Sequence, residues 1–308
     1  MKNIVKDFVF IIIFLILLNI CTNIFVLKGN GFGSDIYSFY NQKRNSLDIV
    51  FFGSSHSYSA FSPDIIKEET GLNSYNFATQ QQPISVTYYY MKEALKRQNA
   101  KYFVLEAKML IVDYDYAKEG VVRDAVDKLP PSINKIMAIN ESVENKKDWS
   151  SYYFNIIKYH SRYNDLNIDD IKIGFTRKGI NNNGFTKLEE NVDTDIDNSK
   201  VLNIDERKKI SSKNLKYLKR IIKLAKNNNT ELIIVKSPCE LSEDEQKYYN
   251  WLEDYLSKEN IDFINYNKKI NDLNLVSGDF YDYGHLSYSG AKKLSRDFSK
   301  YIKEKEDK

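Results

Sequence analysis

The chain has few of the residues that build metal centres and disulfide frameworks. Its 308 residues include two cysteines and three histidines. Cys21 lies in an apolar N-terminal segment and Cys239 follows a predicted strand, so the sequence predicts neither a disulfide nor a metal site. We expect no metal and no cofactor, and three histidines leave few candidates for a catalytic base.

The chain also lacks an excess of either charge. Lys and Arg number 45 against 42 for Asp and Glu. This balance lacks the basic surplus of nucleic-acid-binding proteins, so we expect no nucleic-acid partner. The length allows one large domain or two small ones, with a core of ordinary size.

One long apolar run is present near the N-terminus, at residues 8–27. It consists of Phe, Ile, Leu and Val, broken at four polar positions, Asn19, Cys21, Thr22 and Asn23. At ~1.5 Å per residue, a helix of this length spans ~30 Å, the thickness of a bilayer core. Lys2 and Lys6 precede the run, so the positive-inside rule predicts a cytoplasmic N-terminus with the rest of the chain outside.

A cleaved signal peptide is the alternative interpretation of this run. Its apolar region would be shorter and would end at a small-residue cleavage site, which residues 23–27 do not contain. The residues before Cys21 are also a poor fit to a lipoprotein site. We therefore predict a single-pass signal anchor over residues 1–27, with an extracytoplasmic domain attached to the cell membrane.

Beyond the anchor, a stalk is predicted at residues 28–45, where glycines and polar residues dominate. Apolar runs and helical patterns then alternate over residues 46–308. Such alternation predicts an α/β domain, a mainly parallel five-stranded sheet in a three-layer α/β/α sandwich. The predicted strands are 47–52, 73–78, 102–107, 231–235 and 261–266, and the predicted helices are 84–98, 204–226, 243–258 and 289–302.

An insertion interrupts this alternation at about residues 110–200. The segment contains Pro130-Pro131, an aromatic cluster beginning at Trp149 and an Asn-rich turn at residues 181–184. A plain crossover between parallel strands needs far fewer residues. We expect a helical or irregular cap over the carboxyl ends of the strands.

Two short segments, far apart in sequence, carry the chemistry. Asp48-Ile-Val-Phe-Phe-Gly-Ser-Ser55 reads as a buried strand that runs into a Gly-Ser-Ser turn. Asp282-Tyr-Gly-His285 places a carboxylate three residues before a histidine, ahead of the final helix. A serine on a turn, a base and a group that orients the base are the three parts of an activated hydroxyl nucleophile. In an open parallel sheet both segments fall at the carboxyl ends of strands, so we expect them to meet.

This arrangement resembles the SGNH, or GDSL-type, hydrolase superfamily over residues 47–107 and 230–302. Gly53-Ser54-Ser55 matches the Gly-Asp-Ser block of that family, with Ser55 at the nucleophile and Ser54 in place of the aspartate. Asp282-x-x-His285 matches the last block. The resemblance implies a flavodoxin-like sandwich and a Ser-His-Asp acyl-enzyme mechanism.

Two blocks of the family have no counterpart here. Glu106-Ala107-Lys108 stands where Gly-x-Asn-Asp follows the third strand, and residues 76–80 carry no evident block-two glycine. The oxyanion hole is therefore assigned only to the Ser55 turn. The further oxyanion or substrate candidates are Ser54, Asn76, Thr79, Gln80, His56, His160 and Arg162, and for the three last a packing or structural role is the alternative.

The anchor and the Gly-Ser-Ser turn are similar to one branch of the superfamily, the DltD-like proteins and the alginate and peptidoglycan O-acetyltransferases. This resemblance implies an O-acyltransferase or esterase acting on a cell-envelope glycopolymer, such as teichoic acid, peptidoglycan or exopolysaccharide. It also implies a membrane-bound O-acyltransferase as a partner. The alternatives are a simple cell-surface carboxylesterase or lipase, and a degenerate SGNH domain that binds polymer or a membrane partner without chemistry.

Overall fold

The computed structural model describes residues 2–26, 36–113, 117–176, 182–189, 194 and 196–307. Its centre is one five-stranded sheet in which every neighbouring pair is parallel. The predicted α/β class with a five-stranded sheet is confirmed. The strands are β1 (Ile49–Phe52), β2 (Ser74–Asn76), β3 (Tyr102–Glu106), β4 (Glu231–Lys236) and β5 (Asp262–Asn265).

The strand order is β2-β1-β3-β4-β5. In this order the chain winds in one direction from β1 to β2 and in the other from β3 onwards. Crossovers therefore leave opposite faces at the boundary between β1 and β3, where a crevice opens beyond the carboxyl ends of the strands. Phe52 and Leu105 are register partners at this boundary, which places the turns after β1 and β3 side by side.

Fourteen α-helices occur among the described residues, together with short 3₁₀ turns. They are α1 (Lys2–Phe25), α2 (Ile36–Asn41), α3 (Ser55–Tyr58), α4 (Pro63–Thr70), α5 (Ile84–Leu95), α6 (Lys108–Ile111), α7 (Glu119–Val126), α8 (Ile133–Ser142), α9 (Trp149–Tyr153), α10 (Ile156–Tyr159), α11 (Ile168–Thr176), α12 (Ser212–Asn227), α13 (Glu243–Lys258) and α14 (Tyr288–Glu306).

Two apolar clusters lie on the two faces of the sheet. Side chains alternate between faces along a strand, so Val50 and Phe52 join one cluster while Ile49 and Phe51 join the other. The first cluster packs under α5, α12 and α13, and the second under α4 and α14. Helices on both faces bury β1, β2 and β3 completely and β4 apart from its first residue, which explains the apolar runs of β1 and β3 and the apolar centre of β4.

The predicted apolar N-terminal helix is present as α1. Its segment Ile4–Phe25 is long and apolar enough to cross a membrane, and its most apolar part is not buried against the rest of the chain. The structure therefore agrees with a membrane-spanning or signal-sequence helix. Its orientation stays a prediction.

Several predicted boundaries differ from the structure. Of the stalk predicted at residues 28–45, residues 28–35 lie outside the described residues, and α2 in the remainder fully buries Ile36 and Phe39 in the first apolar cluster. The helix predicted at residues 204–226 begins eight residues later, at Ser212, because the Ser211 side chain caps it by accepting from the Asn214 N–H. The strands are mostly shorter at their ends than predicted.

The insertion predicted at residues 110–200 divides into two parts. The helical part, α7 to α11, packs against α5 through α8 and against α1 through α10 and α11. The other described part is residues 182–189, here called the bridging segment, which lies at the carboxyl ends of the strands and contacts the ends of α3 and α14 that flank the candidate site. Among the described residues, the bridging segment lies where the cap is predicted.

Candidate active site

The candidate nucleophile Ser55 lies on a sharp turn directly after β1. Gly53 adopts φ +140°, and a Cβ at this position would lie 3.0 Å from the Cβ of Glu106. Only glycine combines this backbone conformation with so close a neighbour. The chain therefore turns tightly, and Ser55 opens the short helix α3 with its side chain partly exposed.

The candidate base His285 and the carboxylate of Asp282 lie on a closed loop between β5 and α14. Phe280 and Leu286 form an antiparallel bridge across the loop, and the Tyr281 N–H donates to the His285 carbonyl at 2.9 Å. Inside the loop, the Gly284 N–H donates to Asp282 Oδ1 at 2.7 Å. These bonds fix both side chains on the same short turn.

The structure brings Ser55, His285 and Asp282 into one hydrogen-bonded chain. Ser55 Oγ lies 2.8 Å from His285 Nε2, and His285 Nδ1 lies 2.9 Å and 3.0 Å from the two carboxylate oxygens of Asp282. These distances fit a base within reach of a hydroxyl proton and a carboxylate that holds the other ring nitrogen. The Asp282 side chain is 46 % exposed and that of His285 25 %, so the chain of bonds is open to solvent.

His56 lies beneath the candidate base. Its ring stacks on that of His285 with centroids 4.9 Å apart, and its side chain is buried. Burial lowers the pKa of His56 well below its usual 6.5, and the charges of Lys236, His285 and Lys108 act in the same direction. A neutral ring in this place supports the imidazole of His285 without competing for the Ser55 proton.

A buried polar network supports the Ser55 turn from below. Glu106 ends β3 and accepts a hydrogen bond from the Lys108 N–H at 2.9 Å, and its carboxylate lies 3.5 Å from the ammonium of Lys236 at the end of β4. Ser237 Oγ lies 2.9 Å from the His56 carbonyl and 3.2 Å from Glu106 Oε1. Charged groups buried in this way must be paired, so the network fixes the three strand ends relative to one another.

The bridging segment connects the Ser55 turn with the loop that carries Asp282 and His285. The Thr186 N–H donates to the Tyr58 carbonyl at 2.9 Å, and the Tyr288 N–H donates to the Leu188 carbonyl at 2.8 Å. At its start, Gly184 has φ +74°, and any Cβ there would overlap the Asn76 carbonyl. One segment thus reaches from the end of α3 to the start of α14.

Four of the weaker candidates lie near the turn but differ in what they can contact. Asn76 is fully buried, donating from its side chain to the Phe61 carbonyl at 2.8 Å and from its backbone to the Asn183 carbonyl. Thr79 is buried and accepts from Gln82 at 3.0 Å. A role of either buried residue as an oxyanion donor stays a prediction. Ser54 is buried with no partner for its hydroxyl among the described residues, and Gln80 is exposed.

The two candidates from the insertion make contacts elsewhere. His160 is exposed, and its Nδ1 lies 2.9 Å from the Ile157 carbonyl of its own helical turn. Arg162 donates to the carbonyls of Phe25 and Val26, at the end of α1. Both side chains are therefore engaged by the helical part of the insertion, which contacts α1, and the structure gives no support to a substrate role for them.

Sequence reasoning missed the network of Glu106, Lys236 and Ser237 and the role of the bridging segment. One signal was available: Glu106 and Lys236 are charged residues that directly follow apolar stretches of β3 and β4, at the strand ends next to the predicted site. The bridging segment gave a weaker signal, an Asn-rich turn with glycine. Its partners are backbone groups, which the sequence does not specify.

Comparison with known proteins adds little to this geometry. One protein-family model matches residues 191–306, with no descriptive name attached. The match includes β4, β5 and the loop of Asp282 and His285, but it covers less than half of the chain. No curated protein matches the chain.

Proposed function

We propose that the chain is a membrane-anchored serine acyltransferase or esterase of the SGNH type, with its domain outside the cytoplasm. The observation that carries the proposal is the contact of 2.8 Å between Ser55 Oγ and His285 Nε2, with Asp282 on the other ring nitrogen. The doubly wound sheet supports it, since the groups converge at the switch point where such folds bind ligands.

The proposed chemistry follows from the positions of these atoms. Ser55 Oγ attacks the carbonyl carbon of an ester while its proton passes to His285 Nε2, and Asp282 stabilises the imidazolium. The imidazolium then protonates the leaving alcohol, which leaves an acyl group on Ser55. In the second half, His285 takes a proton from an acceptor hydroxyl or from water, whose oxygen attacks the acyl carbon; the bond to Ser55 Oγ breaks and His285 returns the proton to that oxygen.

The backbone N–H of Ser55 is the oxyanion donor in this proposal. It lies at the first residue of α3, and no acceptor for it occurs among the described residues. Aligned amides at a helix start carry partial positive charge, which favours a developing oxyanion. Asn76 and Thr79 are both buried, so the partly exposed Ser55 turn is the better placed donor in this proposal.

The acceptor proposed for transfer is a hydroxyl of a cell-envelope glycopolymer, and the acyl donor is a membrane-bound O-acyltransferase. The anchor supports this part of the proposal, because it would hold Ser55 close to the membrane surface where such polymers and such a partner are found. With the N-terminal lysines in the cytoplasm, the whole domain lies on the same side as the polymer.

A serine-reactive fluorophosphonate tests the nucleophile. The full-length protein in detergent should be labelled, and Ser55→Ala should not. Ser57→Ala is the matched control, because this serine lies on the same short helix, is fully buried and should leave labelling unchanged. Labelling that persists in Ser55→Ala, or that never occurs in folded wild type, would refute the proposed nucleophile.

Simple hydrolysis is the second candidate activity. The exposure of Asp282 and His285 favours it, because water has access to an acyl group on Ser55. The two activities separate in one experiment, which follows release of the alcohol and the fate of the acyl group from a chromogenic ester. If an added glycopolymer fragment gains the acyl group in preference to water, the protein is a transferase; otherwise it is an esterase.

A further inference from the structure

Helix α11 packs directly on the last turns of the anchor. Gly174 lies against α1 so closely that a Cβ there would overlap Ile24. Residues 18–26 of α1 are mostly part-buried, in contrast to the exposed residues 4–17 before them. At ~1.5 Å per residue, α11 therefore runs beside the final ~12 Å of the span.

Arg162 fixes the end of the anchor to this helical region. Its guanidinium donates to the Phe25 carbonyl at 2.7 Å and to the Val26 carbonyl at 3.0 Å, and it lies 3.5 Å from the buried carboxylate of Asp170 on α11. The last carbonyls of a helix have no partner within the helix, and unsatisfied ones are costly where water is scarce. Arg162 satisfies two of them and so marks the level at which α1 ends.

An apolar surface surrounds this level. On α11, Ile168, Ile171 and Phe175 share one face beside the face that Gly174 presents to α1. These three side chains are 63 %, 41 % and 65 % exposed. Six exposed apolar residues between α9 and the end of α11 are here called the collar: Phe154, Ile157, Tyr163, Ile168, Ile171 and Phe175. Phe175 lies at its edge, in a groove that it shares with Arg44, Lys96 and Arg97, whose charges suit the level of the lipid headgroups.

Exposed apolar side chains are unfavourable in water, and soluble domains rarely gather several of them in one region. The elements that carry most of the collar, α10, α11 and the 3₁₀ turn between them, contact α1, whose most apolar part is itself exposed. Helix α11 is far too short to span a bilayer, and short apolar segments at a membrane lie in its interface.

We infer that the collar is embedded in the outer surface of the lipid bilayer, where it contacts acyl chains next to the emerging anchor. The domain is then seated on the membrane by two contacts, the span and the collar, which Arg162 holds together. The inference rests on the membrane anchoring in the proposed function and is independent of the chemistry at Ser55.

Quenching of tryptophan fluorescence by brominated phosphatidylcholine tests the inference in the full-length protein in lipid nanodiscs. Three variants are compared: Phe175→Trp in the collar, Phe14→Trp in the middle of the span, and Val276→Trp, which is 62 % exposed but lies outside the collar. The two native tryptophans are present in every sample, so wild type supplies their contribution. Tyr163→Trp is a second collar position in case Phe175→Trp fails to fold.

The depth of the bromine distinguishes the positions. An interfacial helix buries its apolar face ~5–10 Å deep, so Phe175→Trp should be quenched most by lipids brominated near the headgroup. Phe14→Trp should be quenched most by lipids brominated near the chain ends, and Val276→Trp by neither.

The outcomes separate the inference from the proposed function. Quenching at Phe14→Trp without quenching at either collar position would overturn the inference and leave the anchor intact; a second copy or a partner protein would then cover the collar. No quenching at Phe14→Trp would overturn both the anchoring and the inference. Fluorophosphonate labelling of the same samples reports separately on Ser55.

Discussion

Asp282→Asn should reduce activity about a hundredfold, a smaller loss than removal of Ser55 or His285 causes. The carboxylate lies 2.9 Å and 3.0 Å from His285 Nδ1. At this separation its attraction for an imidazolium is between ~1.4 kcal/mol in bulk water and ~5.5 kcal/mol near a protein surface. Because the side chain is 46 % exposed, an intermediate value of about 3 kcal/mol applies, which is roughly a factor of 100 in rate.

The assay is the second-order rate of fluorophosphonate labelling, together with hydrolysis of a chromogenic ester by the full-length protein. Ser55→Ala and His285→Ala should each fall to background, and the double variant should be no worse, because such groups act as a unit. Asp254→Asn is the matched control, since that carboxylate is 50 % exposed and pairs with Arg207. An Asp282→Asn variant as inactive as Ser55→Ala, or within about threefold of wild type, would refute this reasoning.

Three other predictions concern the support of the site, and each is measured by thermal or denaturant unfolding. Lys236→Met should lower the free energy of unfolding by ~3–5 kcal/mol because it removes the cationic partner of the buried Glu106 carboxylate. Adding Glu106→Gln should recover part of this loss of stability. Gly53→Ala should lower the free energy of unfolding by ~1–3 kcal/mol and by more than Gly71→Ala, because Gly71 has φ +78° in the left-handed helical region and open space around it. His56 has a lowered pKa in the folded state, so its burial should reduce stability as pH falls below about 6.5, and His56→Gln should flatten this dependence; an unchanged slope would contradict the assigned burial.

The sheet was predictable because its strands are buried on both faces. Continuous apolar runs such as Ile49–Phe52 and residues 232–235 stand out against the amphipathic helices between them. The helix at Glu243–Lys258 was predicted with its exact bounds because Ser242 and Glu245 form a capping box. Residues 204–211 carry the same apolar spacing as the helix that follows, so periodicity alone could not exclude them.

The site was predictable where chemistry demands particular residue types, and not where geometry alone decides. Ser55, Asp282 and His285 were identified by spacing and by their place after strands. The position of the helical part of the insertion depends on packing against α1 and α5, which the sequence does not specify. Arg162 resembles a ligand-binding residue in sequence, and only the fold shows that its partners are the carbonyls of Phe25 and Val26.

The distance along the chain between the nucleophile and its base has a consequence for timing. Ser55 and His285 are 230 residues apart in sequence. A newly made chain presents Ser55 long before Asp282 and His285 exist, and the hydroxyl remains an ordinary alcohol until the last loop docks. Under the proposed function, synthesis and export are thus separated from reactivity, and an unfinished or unfolded chain carries no activated serine inside the cell.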